Sequence, residues 1–586
     1  MSAGLGQPMN NAGTWWLKGA WIELGLEQAV LNVIGVACQR YLAESGPPLR
    51  VLTHVQEVLV RKNETLVFMP LFENMTRLTH LDTYDDDGLG WLTESARVYR
   101  AKTMESYLSE LMRLKIATPL GQALAHCYWQ AWYRDESIPD RHVFYVDMHD
   151  KVIWTKKPSP VGYIGALHEV HACLKQAFVH GHDGHPLLCV TYPADVHLSG
   201  VVTEVALALD QAVGRDVVQV IVTDREGLAA EVIQSLLTGH QKAFVALLKA
   251  NQYAGEADFA RRGRFRQLKD PRTGQVTHRV ADADFGLTND LDVRAGLIYD
   301  LDHPDNLIAL ITTVSRDDEP DIRRVVRWYL ERWNAQENSF RDQIAFVHLN
   351  INFGLRAKRV VPDRRIARRI TDLTTHLEAV KRKLDSKMVQ LTDLERRIQN
   401  LTARYDKKVA DLLRPRKRQG PQAAARAAKR QQQLRDYRER HHQRLARYLT
   451  RKAKLEQAIE AHRQEQARTA DKLAQLDPNA TFFEVDTEKD QIMAHLRIGL
   501  HNSALWARNH YFGSSYRYTT PLTLWRTFFN QDGFYKERAD RIVITLEPFA
   551  NSCVQREAVE ACQRFNERQI ETVSGKIIEM HVADCI

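Results

Sequence analysis

Three acidic residues stand where solubility does not call for a charge. Asp147 closes the run Val143-Phe144-Tyr145-Val146, Asp224 follows Val220-Ile221-Val222-Thr223, and Glu337 lies on an amphipathic stretch further along. A carboxylate that ends a buried strand is costly unless it is solvated, hydrogen-bonded or bound to a metal. The space just past such strand ends is also where open α/β sheets gather ligand-binding groups. Three carboxylates brought together repel one another, and a hard divalent cation relieves the repulsion. Two such ions about 3.5–4 Å apart clamp the attacking and leaving oxygens of a phosphodiester displacement. Singly, each acid reads as a helix cap or a surface group; the set is what points to chemistry.

The elements that must position these acids follow from changes of pattern along the 586 residues, a length that suits about three to five domains. Residues 1–140 read as helical. Trp16-Leu17, Trp21-Ile22, Leu24, Val30-Leu31 and Ile34 recur at helical spacing, Tyr107, Leu108, Leu111 and Leu114 form a second stripe, and 120–132 a third. Gly46-Pro47-Pro48 breaks the first group, 82–90 reads as a loop, and Trp15, Trp16 and Trp21 read as core. From Val143 the residues become β-branched and aromatic. Strands are expected at 143–147, 151–155 (with His149-Asp150 at the turn between them), 187–192, 217–222, 243–248 and 307–313. Helices are expected at 199–213, 227–237 and 321–346, which makes a mixed α/β sheet. The polar, turn-rich stretch at about 254–300 reads as an insertion with β content.

A heptad array follows. Ile366, Ile370, Leu373, Leu377, Val380, Leu384, Leu391, Leu394, Ile398, Leu401 and Tyr405 alternate by three and four, with one step skipped. A second array runs through Leu434, Tyr437, Tyr448, Leu455, Ile459, Leu473 and Leu476, after Arg414-Pro415 and Gly420-Pro421. Two helices of about 48 residues, each ~72 Å long, joined by that turn predict an antiparallel coiled-coil hairpin. The tail, 478–586, is mixed, with a helix at 491–510 and a strand at 541–546. The expected organisation is a helical domain at 1–140, a core at 141–353, the hairpin at 354–477, and a C-terminal region that completes the core or mediates assembly.

The net charge of +8 conceals an asymmetry. Residues 356–472 hold about 34 Lys/Arg against about 14 Asp/Glu, a surplus near +20, so the remainder carries about −12. A basic segment of that size favours a polyphosphate partner through counterion release. No apolar run approaches the ~18 residues of a membrane span. Met-Ser-Ala-Gly does not open a secretory signal. Seven cysteines without C-x-x-C spacing suit a reducing cytosol rather than disulfides or a zinc ribbon. His168-Glu-Val-His171, with His180, His182, His185, Cys173 and Cys189, lacks the H-E-x-x-H spacing of a zinc helix and reads as polar loop and helix. Gly162 and Gly165 do not form a phosphate loop.

Two motifs carry a resemblance. Val220-Ile-Val-Thr-Asp-Arg-Glu-Gly227 resembles the second-aspartate motif of DDE transposases of bacterial insertion sequences, of the cut-and-paste type with an Asp-Arg-Glu signature. Tyr329-Leu-Glu-Arg-Trp-Asn-Ala-Gln-Glu-Asn-Ser-Phe-Arg341 resembles their helix with Tyr, Arg and the catalytic Glu, and Phe144-Tyr-Val-Asp147 fits the first aspartate. The resemblance spans about 140–350. It implies a ribonuclease-H-like core that cleaves DNA and transfers strands at the ends of a mobile element. Asp147, Asp224 and Glu337 would hold two Mg²⁺ (or Mn²⁺) ions, Arg332 would contact phosphate, and Tyr329 would lie beside the scissile DNA. Arg225, Arg341 and Glu226 are secondary candidates, Glu226 doubling as a cap for the helix from 227. The implied partner is double-stranded DNA, both element ends and target. A homodimer in the DNA complex and a bacterial cytoplasmic, nucleoid-associated location are also implied. The helical domain at 1–140 would read the element ends.

One departure matters. The family places its Glu four residues after the Arg, where this chain has Gln336; the acid comes one residue later. One residue is about 100° on an α-helix, so Glu337 is out of phase unless a local bulge restores it. Glu331 is the competing acid. Two other readings use the same features: a non-catalytic DNA-binding descendant of a transposase, and a metal-dependent nuclease without strand transfer.

Overall fold

The computed structural model describes residues 6–154, 159–165, 167–271, 273–288, 291–351, 356–362, 364–414 and 423–584. The chain is mixed α/β and divides into two compact units, one of residues 1–359 with 483–586 and one of 360–482.

In the first unit, among the described residues, an 11-stranded sheet runs through the middle. The strands that matter are Val143–Val152 (β1), Glu169–Gly181 (β2), Pro186–Pro193 (β3), Val220–Thr223 (β4), Ala243–Leu247 (β5), Val276–Thr288 (β6), Leu291–Asp300 (β7) and Leu307–Thr312 (β8). Their order is β3-β2-β1-β4-β5-β8-β7-β6. β1, β2 and β3 form an antiparallel meander; β4 runs parallel to β1, and β5 parallel to β4. β8, β7 and β6 continue antiparallel, so the polar stretch expected as an insertion forms the far wing of the same sheet.

Alternation along β1 assigns its two faces. Phe144 and Val146 join a large core with the helices Thr14–Glu23, Leu26–Ala43, Gln56–Phe68, Ala101–Arg113 and Ala117–Trp132, and Trp15, Trp16 and Trp21 are buried there. Val143 and Tyr145 face a second core with Val220, Val222, Val245, Val325, Val326 and Trp328. The last three lie on the helix Ile322–Arg332 (α1), which Asp321 caps by accepting from the Arg323 N–H.

Three expectations change. The two strands predicted at 143–155 are one strand through Val152. His149 pairs with Gln176 and Asp150 with Lys175, no Gly or Pro turn interrupts them, and the Asp150–Lys175 ion pair at 2.5 Å ties the strands. Of the histidine-rich stretch, His168, His182 and His185 lie in turns or loop as expected, whereas His171 and His180 lie on strand β2. It is sandwiched between β1 and β3 with both faces covered, which erases the alternation that marks a half-buried strand. The helix expected from 227 begins at Ala230 after an uncapped Ala229 and ends in a π-turn at Ser235–Gly239. Glu226 is therefore not its cap.

The C-terminal helix Glu488–His510 is buried along most of its length. Asp490 takes Lys151 at 2.6 Å, His495 bonds the Cys189 carbonyl at 2.8 Å, and Asn502 donates to the Pro186 carbonyl at 2.7 Å. A second sheet, in the order Gln7–Met9, Gly533–Glu537, Arg541–Leu546, Ile577–Val582, joins the two ends of the chain. Beside it Lys18 is fully buried, with its ammonium 3.1 Å from Glu64, 2.9 Å from Glu94 and 2.7 Å from the Leu92 carbonyl. Among the described residues no single helix is long and apolar enough to cross a membrane, and six cysteines are unpaired.

The second unit is built on the helices Arg364–Leu413 (α3) and Ala423–Ala474 (α4). They pack antiparallel: Tyr405 stacks on His441 at 3.9 Å, Lys452 pairs with Glu395 at 2.7 Å, and His376 with Glu465 at 3.2 Å. Val380, Leu384, Leu394, Leu455 and Ile459 form the buried seam, and most of the arginines lie outside it, exposed. The turn expected between the helices lies at 415–421, outside the described residues.

Candidate active site

β1 and β4 are neighbours with Val146 opposite Thr223, so the next residue on each, Asp147 and Asp224, share a row. Alternation directs both to the face of Val143, Tyr145, Val220 and Val222, which α1 covers. The core-facing residues of α1 continue through Val325 and Tyr329 to Arg332 at spacings of four and three, which carries the guanidinium over the carboxylates. Arg332 Nη1 donates to Asp147 Oδ2 at 2.9 Å, and the Met148 N–H to Asp147 Oδ1 at 2.8 Å. Asp224 Oδ1 accepts the Glu226 N–H at 2.8 Å, which fixes it in the turn after β4.

The three acids share one field. Burial pushes the Asp147 carboxyl up to about 7; Arg332 works against this, and Asp224 and Glu337 add to it. Arg332 is itself only 7 % exposed. Burial weighs against its charge, but Asp147, Tyr329 and Asp224 more than offset it, and its pKa is raised. Its guanidinium lies 5.6 Å from the Tyr329 ring centre, and its Nε is buried without a partner among the described residues.

Glu337 reaches this cluster through a break in helical regularity. Residues Trp333–Glu337 form a π-turn between α1 and the helix Asn338–Phe346 (α2). A π-turn closes i→i+5, so the fifth residue after Arg332 stands near where the fourth would on an α-helix. The extra residue in the turn leaves Gln336 fully buried, accepting from Arg332 Nη1 at 3.2 Å and placing its amide 3.2 Å from His180 Nδ1. Glu337 is half-buried on the side of Asp147. Glu331 lies elsewhere: its charge acts on Tyr145, and it lines a separate cavity with His182, Asp183 and Arg327.

A neighbouring turn braces the π-turn. Gly184 has φ +90°, and a Cβ there would stand 2.5 Å from the Ala335 carbonyl oxygen, inside the bulge. The histidines around it have structural partners. His180 meets Gln336, His185 pairs with Asp183 at 2.6 Å, and Asp183 also accepts the Tyr133 hydroxyl. The sequence placed His180 only among the histidines that do not form a zinc site and Gln336 only where the family has its Glu; Gly184 had no role. The one signal that pointed at them was the acid displaced by one residue.

Of the predicted residues, Asp147, Asp224, Glu337, Arg332 and Tyr329 are together, and the charge of exposed Arg225 reaches Tyr329. Arg341 is exposed and donates to Asn338 at 3.2 Å. Among the described residues no three His, Cys, Asp or Glu side chains are gathered closely enough to hold an ion as they stand. The donor set is nonetheless all carboxylate oxygen, which suits Mg²⁺. A cation would also favour the ionised Asp147 carboxylate against the burial that pushes it up to about 7. In comparisons with known proteins, the chain matches no family model and no curated sequence.

Proposed function

We propose that this protein is a DDE-type transposase with a ribonuclease-H-like core. The observation that carries the reading is the π-turn at Trp333–Glu337, which sets Glu337 in the field of Asp147 and Asp224 despite the altered spacing. The strand order β3-β2-β1-β4-β5, an antiparallel meander whose first strand continues into two parallel strands, supports it. So does the paired basic hairpin of α3 and α4, read as an antiparallel coiled coil that grips duplex DNA.

In this reading Asp147, Asp224 and Glu337 hold the divalent ions. Those ions, when bound, neutralise charge on the phosphodiester and favour the deprotonated nucleophile, first water and then a 3′-hydroxyl. Arg332 has two tasks. Nη1 fixes the Asp147 carboxylate, and the guanidinium charge favours a phosphate beside the acids. Tyr329 packs under that guanidinium and limits its motion. The Gln336–His180 contact holds the bulge, and so holds the direction of Glu337.

The test is Mg²⁺-dependent cleavage of DNA carrying the element's own flanking ends, comparing wild type with Asp224→Ala. Cleavage that disappears in the variant while DNA binding persists supports the reading. Binding without cleavage in either protein overturns it in favour of a non-catalytic DNA-binding protein. Cleavage without joining to target DNA reduces it to a nuclease.

A further inference from the structure

A cavity of about 810 Å³ opens next to the π-turn. Its wall includes Asp183 and His185, Asn338, the residue after Glu337, and Arg508, Arg517 and Tyr518 from the end of the helix Glu488–His510 and the turn beyond it. Two guanidinium groups therefore share one cavity. Arg508 donates to Asn509 Oδ1 at 3.0 Å and to the Thr519 carbonyl at 3.3 Å; among the described residues neither it nor Arg517 makes a salt bridge. The nearby acids are engaged elsewhere. Asp183 takes Tyr133 and His185, while Asp342 takes His501 at 3.0 Å and the Leu522 N–H at 3.1 Å.

Burial weighs against the Arg508 charge, Asp183 and Asp342 favour it without bonding to it, and Arg517 opposes it; the pKa is lowered on balance. Asp183 lines the cavity but is held by Tyr133 and His185, so neither guanidinium bonds a carboxylate among the described residues, and an oxyanion placed between the two relieves their repulsion. Tyr518 is 78 % exposed, and Arg517 lies 5.8 Å from its ring centre, so an aromatic face stands beside the anion position. A phosphate flanked by a nucleoside uses both features, where a free phosphate uses one.

We propose that this cavity is a phosphate site for nucleic acid, in which Arg508 and Arg517 take one phosphate of a strand running past Glu337. The proposal rests on the DNA-cleaving reading for the identity of the strand, while binding itself needs no metal. The phosphate is either an internal phosphodiester or a terminal 5′-phosphate; both present the same non-bridging oxygens.

The test titrates thymidine dinucleotide, with and without a 5′-phosphate, into the full-length protein in EDTA. Wild type should bind, and Arg517→Gln should weaken binding by about tenfold. Arg517 is exposed, so its replacement leaves the packing intact. Arg508→Lys, which keeps the charge and loses the fork, should weaken binding in the same direction. A preference for the 5′-phosphorylated dinucleotide assigns the terminal group, and equal binding of the two assigns the phosphodiester. Absence of saturable binding, or equal affinity in wild type and Arg517→Gln, overturns the proposal. The two readings fail separately: dinucleotide binding lost in Arg517→Gln from a protein that never cleaves DNA upholds this cavity and removes the nuclease, and cleavage by a protein whose dinucleotide binding ignores Arg517 does the reverse.

Discussion

The first unit holds two clusters of the same make-up, one cation among three carboxylates, and they are finished in opposite ways. At the N-terminal end Lys18 meets Glu64 and Glu94 directly and feels Glu27. Glu94 also accepts from Thr572 and Ser574, so protein groups hold both acids that touch the lysine. Beside β1 and β4, in the middle of the sheet, Arg332 bonds only Asp147 of the three acids, and Asp224 and Glu337 stay half-exposed. The closed cluster reduces its excess of negative charge by keeping a proton: burial and the neighbouring glutamates push the Glu64 carboxyl up to about 8. In the open cluster burial likewise pushes Asp147 up to about 7, but a cation from outside can reach the half-exposed Asp224 and Glu337. A buried charge cluster thus differs from a site in whether the last charge is compensated within the fold.

The sharpest way to break this comparison is to remove one carboxylate from the open cluster. Asp224→Ala should lower single-turnover cleavage by about 10³-fold, several kcal/mol of lost transition-state stabilisation, with the melting temperature unchanged. Its counterpart is Lys18→Met, which strands buried glutamates and should cost about 3–5 kcal/mol of stability in denaturant unfolding, with little change in cleavage per folded molecule. A loss of stability from the first variant, or of catalysis from the second, would erase the distinction.

Gly184→Ala probes the brace rather than the acids. The added methyl meets the Ala335 carbonyl and shifts the π-turn, and a displacement near 1 Å at Glu337 should slow cleavage by about 10²-fold.

The smallest effect is a pH trend. Glu64 keeps its proton in the fold up to about 8, whereas in the unfolded chain it ionises near 4.5. The folded state therefore binds the extra proton across that window, and this contribution to stability falls as pH rises from 4.5 to 8. Glu64→Gln should gain on wild type in melting temperature over that range, and a constant difference between the two would sink the idea.

Legibility in the sequence divides along the same line between regular and irregular structure. The helices α3 and α4 were readable as two long helices, because an apolar repeat of three and four over fifty residues fits nothing else; Val380, Leu384, Leu394, Leu455 and Ile459 of that repeat are buried. Asp147 and Asp224 were readable because each ends a short β-branched run, and alternation then fixes the face. β2 was not, since a strand covered on both sides has no alternation to detect, and its histidines suggested loop and helix instead. The hairpin expected at His149-Asp150 failed because polar residues were taken for a turn where cross-strand pairing to Lys175 keeps them extended. The direction of Glu337 depends on Gln336, His180 and Gly184, contacts between segments about 150 residues apart that no local pattern records.

The π-turn also has a meaning at the level of the gene. Loss of a single codon inside a helix ordinarily rotates everything beyond it away from its partners. Between Arg332 and Glu337 the count already runs one over, and the fold has absorbed the surplus as a bulge. Deleting the Ala335 codon would return the spacing to four and let an unbroken α-helix present the same acid to the same cluster. This short stretch is therefore a place where a frame-preserving deletion is milder than many point substitutions.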